Sequence, residues 1–332
     1  MKLIVQIPCF DEEDTLPATV ADIPREIEGI GRVEILVIDD GSTDRTAEVA
    51  RLSGVDHVVR HAKNQGLARA FQTGLETCIR LGADIVVNTD ADGQYVGAEI
   101  PRLVRPILEG RADLVVGDRR PADNPAFSRS KRLLQALGSA VVRKLSGLDV
   151  PDAVSGFRAM SRQATLQTTI LSSFSYTTEQ LIQAGNKGLT VVSVPVATRP
   201  STRPSRLFRN IPAFLAATAA TMIRTYTMYR PLSLYSTVGL TLLGVGLVPV
   251  VRFLYFFFTE GGEGHVQSLV LGAALLIMGF ATFLVGVVAE LVAVNRRLLE
   301  LTIERVRRIE AEAAREPRAQ EPERQPEAVS RR

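Results

Sequence analysis

Ile85-Val86-Val87-Asn88-Thr89-Asp90-Ala91-Asp92-Gly93-Gln94 is an apolar run that breaks abruptly into acidic and turn-forming residues. Ile85–Asn88 reads as a strand, and Asp90 and Asp92 follow it two residues apart. At an extended strand end that spacing points both carboxylates to one side. Two carboxylates held together in a cleft are costly unless a cation lies beside them. Hard divalent metals with oxygen ligands fit, and Gln94 adds a neutral oxygen at the next alternate position. Asp-x-Asp alone is common on exposed acidic turns; its place after an apolar strand makes it a candidate site for Mg2+ or Mn2+.

The same arrangement repeats outward along the chain. Leu3–Ile7 is an apolar strand followed by a helix from about Thr15. Val33–Ile38 is a second, ending at Asp39-Asp40-Gly41-Ser42, and Thr43–Leu52 reads as a helix with Asp44 in its acidic first turn. Val55–Val59 is a third strand. Gly66–Leu81 places Leu67, Phe71, Gly74, Leu75, Cys78 and Ile79 at helical spacing. Leu114–Val116 ends at Gly117-Asp118-Arg119-Arg120, and Val191–Pro195 is a further strand. Continuous apolar strands separated by helices predict an α/β fold with a mostly parallel sheet covered on both faces.

Ligands of such sheets bind beyond the carboxyl ends of the strands. Pro8–Glu13, Asp39-Asp40, Asp90–Gln94 and Arg119 all fall there, so topology gathers them on one rim. A dinucleotide oxidoreductase would carry G-x-G-x-x-G after the first strand, where this chain has Pro8-Cys9-Phe10-Asp11-Glu12-Glu13. Cys9 and Cys78 have neither disulfide-framework nor zinc-ligand spacing and read as small core residues. His57, His61 and His265 lack ligand spacing too. A net charge of +3 over 332 residues gives no reason to expect nucleic-acid binding.

Hydropathy divides the chain. Leu232–Phe258 and Val266–Val294 are almost wholly apolar, and each exceeds the roughly 20 helical residues that cross a bilayer. Arg224 and Arg230 flank the first run, and Arg296, Arg297, Arg305, Arg307 and Arg308 follow the second. The connector Thr259–His265 has no Lys or Arg, so the positive-inside rule places both chain ends in the cytoplasm. Met1-Lys2 runs straight into Leu3–Ile7 without the pattern of a signal peptide. The expected organisation is a cytoplasmic domain over 1–209, a juxtamembrane amphipathic segment over 210–231, and spans at 232–258 and 266–294. A basic helix and disordered tail would follow over 295–332.

The order of Pro8-Cys9-Phe10-Asp11-Glu12, Val37-Ile38-Asp39-Asp40-Gly41-Ser42-Thr43-Asp44, Asn64-Gln65-Gly66, Asp90-Ala91-Asp92-Gly93-Gln94 and Ser155-Gly156-Phe157-Arg158 resembles family 2 glycosyltransferases of the GT-A fold. Among them the chain is most similar to polyprenyl-phosphate sugar synthases, over about Lys2–Leu299. The resemblance implies metal-dependent, inverting transfer of a sugar from a nucleoside-diphosphate sugar to dolichyl or undecaprenyl phosphate. It assigns Pro8, Phe10, Glu12, Asp39 and Asp40 to the nucleotide, Asp92 and Gln94 to the metal, and Asp90 and Arg119 to the donor sugar and its diphosphate. Arg132, Arg203 and Arg206 would meet the acceptor phosphate. Asp11 stands where the family usually has Asn, and Arg206 where it often has Lys.

Arg199–Arg206 interleaves arginines with prolines and hydroxyl residues, and arginine forks suit phosphate. The alternative, a solvated basic loop drawn to anionic headgroups, is compatible with that reading. A lipid phosphate acceptor is already ionised near neutral pH and needs positioning, whereas a hydroxyl acceptor needs a general base; Glu179 is the candidate for that role. A processive polysaccharide synthase would carry Gln-x-x-Arg-Trp, and the chain has no tryptophan. An inactive nucleotide-binding scaffold is the alternative outside enzymes, against which Asp90, Asp92, Gln94 and Arg119 stand. Gly239, Gly244, Gly246, Gly272 and Gly279 permit close helix contacts, which would suit a homo-oligomer.

Overall fold

The computed structural model describes residues 1–120, 129–170, 176–200, 227–229, 231–261 and 266–313. Contacts divide the chain into two compact units, Met1–Ser205 with Ile303–Arg332, and Arg206–Thr302.

The first unit holds a seven-stranded sheet: β1 (Lys2–Cys9), β2 (Arg32–Asp39), β3 (His57–Arg60), β4 (Ile85–Asn88), β5 (Leu114–Asp118), β6 (Arg158–Ser161) and β7 (Val191–Pro195), in the order β3-β2-β1-β4-β6-β5-β7. β1 pairs in parallel with β2 and β4, β2 with β3, and β5 with β7. β6 runs against both β4 and β5. Its helices are α1 (Leu16–Ala21), α2 (Thr46–Leu52), α3 (Leu67–Arg80), α4 (Ile100–Leu108), α5 (Arg129–Ser146), α6 (Arg162–Gln167) and α7 (Tyr176–Asn186). The mostly parallel, helix-covered sheet is the architecture expected from the strand pattern.

The strands lack alternation because both faces are covered. Leu3, Ile4, Val5, Ile35, Leu36, Val37, Ile85 and Val87 are all buried, each worth about 1.5–3 kcal/mol relative to exposure. The amphipathic face of α3 buries Phe71, Leu75, Cys78 and Ile79. Glu34 is the acidic exception within β2. Its carboxylate, 1% exposed, meets Lys2 Nζ at 2.8 Å, Arg32 Nε at 2.7 Å and His57 Nε2 at 2.8 Å. Both cysteines are free and buried.

Two apolar helices follow, α8 (Pro231–Glu260) and α9 (Val266–Ala313). Each is long and apolar enough to cross a membrane. Within the second unit their glycines face one another. A Cβ on Gly239 would lie 2.9 Å from the Gly279 carbonyl oxygen, and one on Gly272 2.9 Å from that of Gly246. Gly244 has open space around it. Four of the five glycines read as helix-contact residues are therefore used inside the hairpin. Arg252 lies over the ring of Phe256, 5.9 Å from its centroid, and Arg296 stacks on Tyr229 at 4.6 Å while pairing with Glu300 at 2.6 Å.

The basic stretch expected to be helical after the second span continues α9 without a break to Ala313. Its last turns, from Ile303, belong to the first unit. Arg307 Nη1 donates to the Thr168 carbonyl at 2.8 Å and the Thr169 hydroxyl at 3.1 Å, and Nη2 lies 3.4 Å from Glu76. Gln167 Nε2 donates to Glu304 at 3.1 Å. Most of the expected juxtamembrane segment 210–231 and the tail from 314 onward lie outside the described residues.

Candidate active site

The ends of β1 and β2 are laced together. Cys9 pairs with Asp39 in register, and the Asp40 N–H donates to the Cys9 carbonyl at 2.8 Å. Asp11 N–H donates to Ser42 Oγ at 3.0 Å, and Glu12 N–H to Thr46 Oγ1 at 2.8 Å. In return, Asp11 Oδ1 accepts from the Thr43 N–H at 2.8 Å. Asp11 has φ 53°, a left-handed conformation that aspartate tolerates better than most residues. The Asp11 carboxylate thus caps the facing turn. Gly41, φ 73°, is required because a Cβ would fall 2.5 Å from the Lys63 carbonyl carbon.

Asp39 and Asp40 are both buried, with different surroundings. Asp40 Oδ1 accepts from Gln65 N–H at 2.9 Å and meets His61 Nδ1 at 2.7 Å, while Oδ2 accepts from Gly66 N–H at 2.8 Å. Its visible work is to shape the Asn64-Gln65-Gly66 turn. Asp39 Oδ1 accepts from Ser42 N–H at 2.8 Å, whereas Oδ2 is buried without a hydrogen bond and has Arg60 Nε 3.0 Å away. Pro8 and Glu12 are buried and Phe10 is half-buried. Burial, then the charges of Glu12, Asp39, Asp90 and Asp44, push the Cys9 thiol well up. An acidic rim therefore converges around the end of β1.

Asp90, Asp92 and Gln94 are half-buried just beyond β4. Asp92 accepts from the Gln94 N–H at 3.1 Å and from its Nε2 at 2.6 Å. The Asp90 carboxyl is pushed up to about 7, by burial first and then by the Asp92 charge, with Glu12 adding and Arg119 opposing. Gly156 lies against it: a Cβ there would be 3.2 Å from each Asp90 oxygen and 2.8 Å from the Tyr176 hydroxyl. Asn88 Nδ2 donates to the Gly156 carbonyl at 2.9 Å and to the Tyr176 oxygen at 3.0 Å. Tyr95, stacked on Phe157, accepts from the Gly156 N–H at 3.0 Å.

Arg119 follows β5 directly. Its Nε and Nη2 donate to the two oxygens of Asp152 at 2.7 and 2.9 Å. Asp152 has no exposed side-chain surface and Arg119 only 14%. Sequence reasoning missed Asp152; its place three residues before Ser155-Gly156-Phe157-Arg158 was the available signal. Arg158, fully buried, donates to the carbonyls of Ser155, Ala153 and Thr177 and to Gln180 Oε1, all at 2.8–2.9 Å. Burial pulls it down to about 10, so it stays charged at neutral pH. Its cation holds backbone in place and lies away from solvent.

Of the expected acceptor residues, Arg132 falls within α5, and Arg203 and Arg206 lie outside the described residues. Arg199 is in place beside the Asp92 turn. Its N–H donates to the Gln94 carbonyl at 2.8 Å, and its Nη2 to Asp22 at 3.0 Å. Glu179 is 2% exposed in α7, with Gln183 Nε2 donating to it at 3.4 Å.

Residues 4–167 match the model of Glycosyl transferase family 2. Polyprenol monophosphomannose synthase of Mycolicibacterium smegmatis is 31% identical over 206 residues, covering 59% of this chain and 76% of that protein. Glycosyltransferase AglJ of Haloferax volcanii is 28% identical over 309 residues, covering 91% and 95%. In fold, the chain resembles glucosyl-3-phosphoglycerate synthase from Mycobacterium tuberculosis, crystallised with Mn2+, uridine-diphosphate-glucose and phosphoglyceric acid. The TM-score is 0.53 at 24% identity, over 68% of this chain and 78% of that one. With its acidic rim on a mostly parallel sheet and these likenesses, the chain belongs to glycosyl transferase family 2.

Proposed function

We propose that this glycosyltransferase moves a sugar from a nucleoside-diphosphate sugar to the phosphate of a polyprenyl lipid at the cytoplasmic face of a membrane. The observation that carries the reading is the charge arrangement at the rim, with Asp90 raised to about 7 by burial and Asp92, and Arg119 across from them. Among the described residues no group of three or more His, Cys, Asp or Glu gathers as a metal site. The donor set is two carboxylates and an amide, all hard oxygen chemistry that fits Mg2+ or Mn2+. Asp92 and Gln94 would hold the ion, with Asp90 beside it. Such an ion supplies positive charge to the diphosphate leaving group.

Asp39, with one buried oxygen lacking a hydrogen bond, suits an N–H or hydroxyl of the nucleoside. Arg119 presents its guanidinium towards the diphosphate. The anomeric carbon then loses its bond to the diphosphate oxygen and gains one to the acceptor phosphate oxygen, with the electron pair leaving on the nucleoside diphosphate. No proton is removed from the acceptor, which accords with Glu179 being enclosed in α7. The lipid acceptor is supported by the name of the Mycolicibacterium smegmatis relative and by two helices apolar enough to cross a bilayer.

The test incubates purified protein in detergent with Mn2+ or Mg2+, polyprenyl phosphate and a panel of radiolabelled nucleotide sugars. Label passes into the organic phase for one donor and is lost in Asp92→Ala. Release of nucleoside diphosphate to a sugar acceptor, with no labelled lipid, overturns the lipid-phosphate reading and makes Glu179 the base to test.

A further inference from the structure

The Ser155-Gly156-Phe157-Arg158 motif has chemistry that the reaction itself does not use. It is a buried arginine spending its hydrogen bonds on backbone carbonyls of the segment that carries Asp152. Arg158 Nη2 holds the Ala153 carbonyl at 2.9 Å and Nε the Ser155 carbonyl at 2.9 Å. The Ala153 N–H donates to Ser139 Oγ at 3.2 Å, and the Ser155 N–H to the Asp152 carbonyl at 3.3 Å. Asp152 is thus fixed on both sides, with its carboxylate turned onto Arg119. The contact is side-on and bidentate, and the Arg119 backbone N–H adds a third bond at 3.3 Å.

A long arginine side chain samples many rotamers unless a partner fixes it, and a planar fork on a carboxylate fixes both direction and plane. We propose that Asp152 is a positioning residue: it acts through Arg119, setting the plane and direction in which that guanidinium meets the donor's diphosphate. Arg158 and Ser139 hold the segment that carries it. The assignment rests on the proposed reading of Arg119 as a diphosphate ligand.

A double-mutant cycle on the full chain in detergent separates this from a purely structural role. Asp152→Asn keeps the shape and removes the charge. It lowers kcat/KM for sugar transfer by about tenfold or more. Asp152→Asn combined with Arg119→Ala then loses no more than Arg119→Ala alone, because the first residue has nothing left to orient. Losses that multiply in the double variant at equal melting temperature overturn the proposal. If the wild type transfers no sugar, the proposed function fails, and the cycle is read in affinity for UDP and GDP with Mn2+ by calorimetry. A wild type that binds neither overturns both.

Discussion

Gly156 and Asp90 are in contact across the strands: a methyl group at position 156 would stand 3.2 Å from both carboxylate oxygens. It would also stand 2.8 Å from the Tyr176 hydroxyl, which Asn88 holds. Tyr176 is stacked on Phe71 at 4.0 Å, which leaves half-buried Asp90 as the neighbour that yields. Gly156→Ala therefore displaces Asp90. The expected outcome is a fall in kcat of about 10²-fold against a stability cost of about 1–3 kcal/mol. Steady-state kinetics beside a thermal melt measure both. Activity within twofold of wild type would show that Asp90 is free to shift.

With a divalent ion at Asp92 and Gln94 as proposed, the Asp90 carboxyl beside it, raised to about 7 by burial and by Asp92, would make binding of that ion depend on pH. Below that value the site carries a proton that a divalent ion must displace; above it the proton is already gone. The apparent affinity for Mn2+ rises as pH goes from 6 to about 7 and then levels off, and Asp90→Asn flattens the curve. Titration calorimetry at several pH values decides, and a wild-type affinity that does not change with pH would refute the coupling.

Glu34 makes the opposite prediction for stability. Burial alone would raise its carboxyl, but hydrogen bonds from Lys2 and His57 and the charges of Lys2 and Arg32 hold it below the ordinary value. Its contribution is present above the unfolded value of about 4.3 and disappears as pH falls through the lower folded value. Glu34→Gln lowers the melting temperature at pH 7, by about 2–4 °C per kcal/mol lost. The gap to wild type narrows in acid. A gap that is constant from pH 7 to 3 would mean that packing, not charge, is what the substitution removes.

Arg307 ties the end of α9 to the sheet domain through Thr168, Thr169 and Glu76. Arg307→Ala leaves the Thr168 carbonyl without that donor and removes a largely buried cation. A cost of about 1–3 kcal/mol is expected, read as a lower melting temperature with kcat retained at low temperature. An unchanged melt would show the contact to be energetically idle.

The sequence made the strands legible because a sheet covered on both faces leaves continuous apolar runs, and it made the rim legible because acidic residues followed those runs. β6 escaped notice for a physical reason. It begins with Arg158, a residue that reads as surface, and the backbone carbonyls of Ala153 and Thr177 help to keep that charge inside. Asp152 shares its loop with Asp149, and only its place just before Ser155-Gly156-Phe157-Arg158 sets it apart until Arg119, 33 residues away, closes on it. The bonds of Asp40 to Gln65 and Gly66 were not legible, because they depend on how the chain returns from β3. Arg307 was legible only as a flanking charge, since its partners lie in α3 and just beyond α6.

β6 is four residues long and is the one strand through which β4 joins β5 among the described residues. The two strand ends that present Asp90 and Arg119 are therefore two strand spacings apart, about 9.5 Å. β6 is paired in register with both neighbours, Met160 standing opposite Val86 and Leu114. The gauge of the cleft is consequently a backbone dimension. Substitutions along the rim can retune which sugar or nucleoside is recognised while the span between the opposing charges stays as the sheet set it.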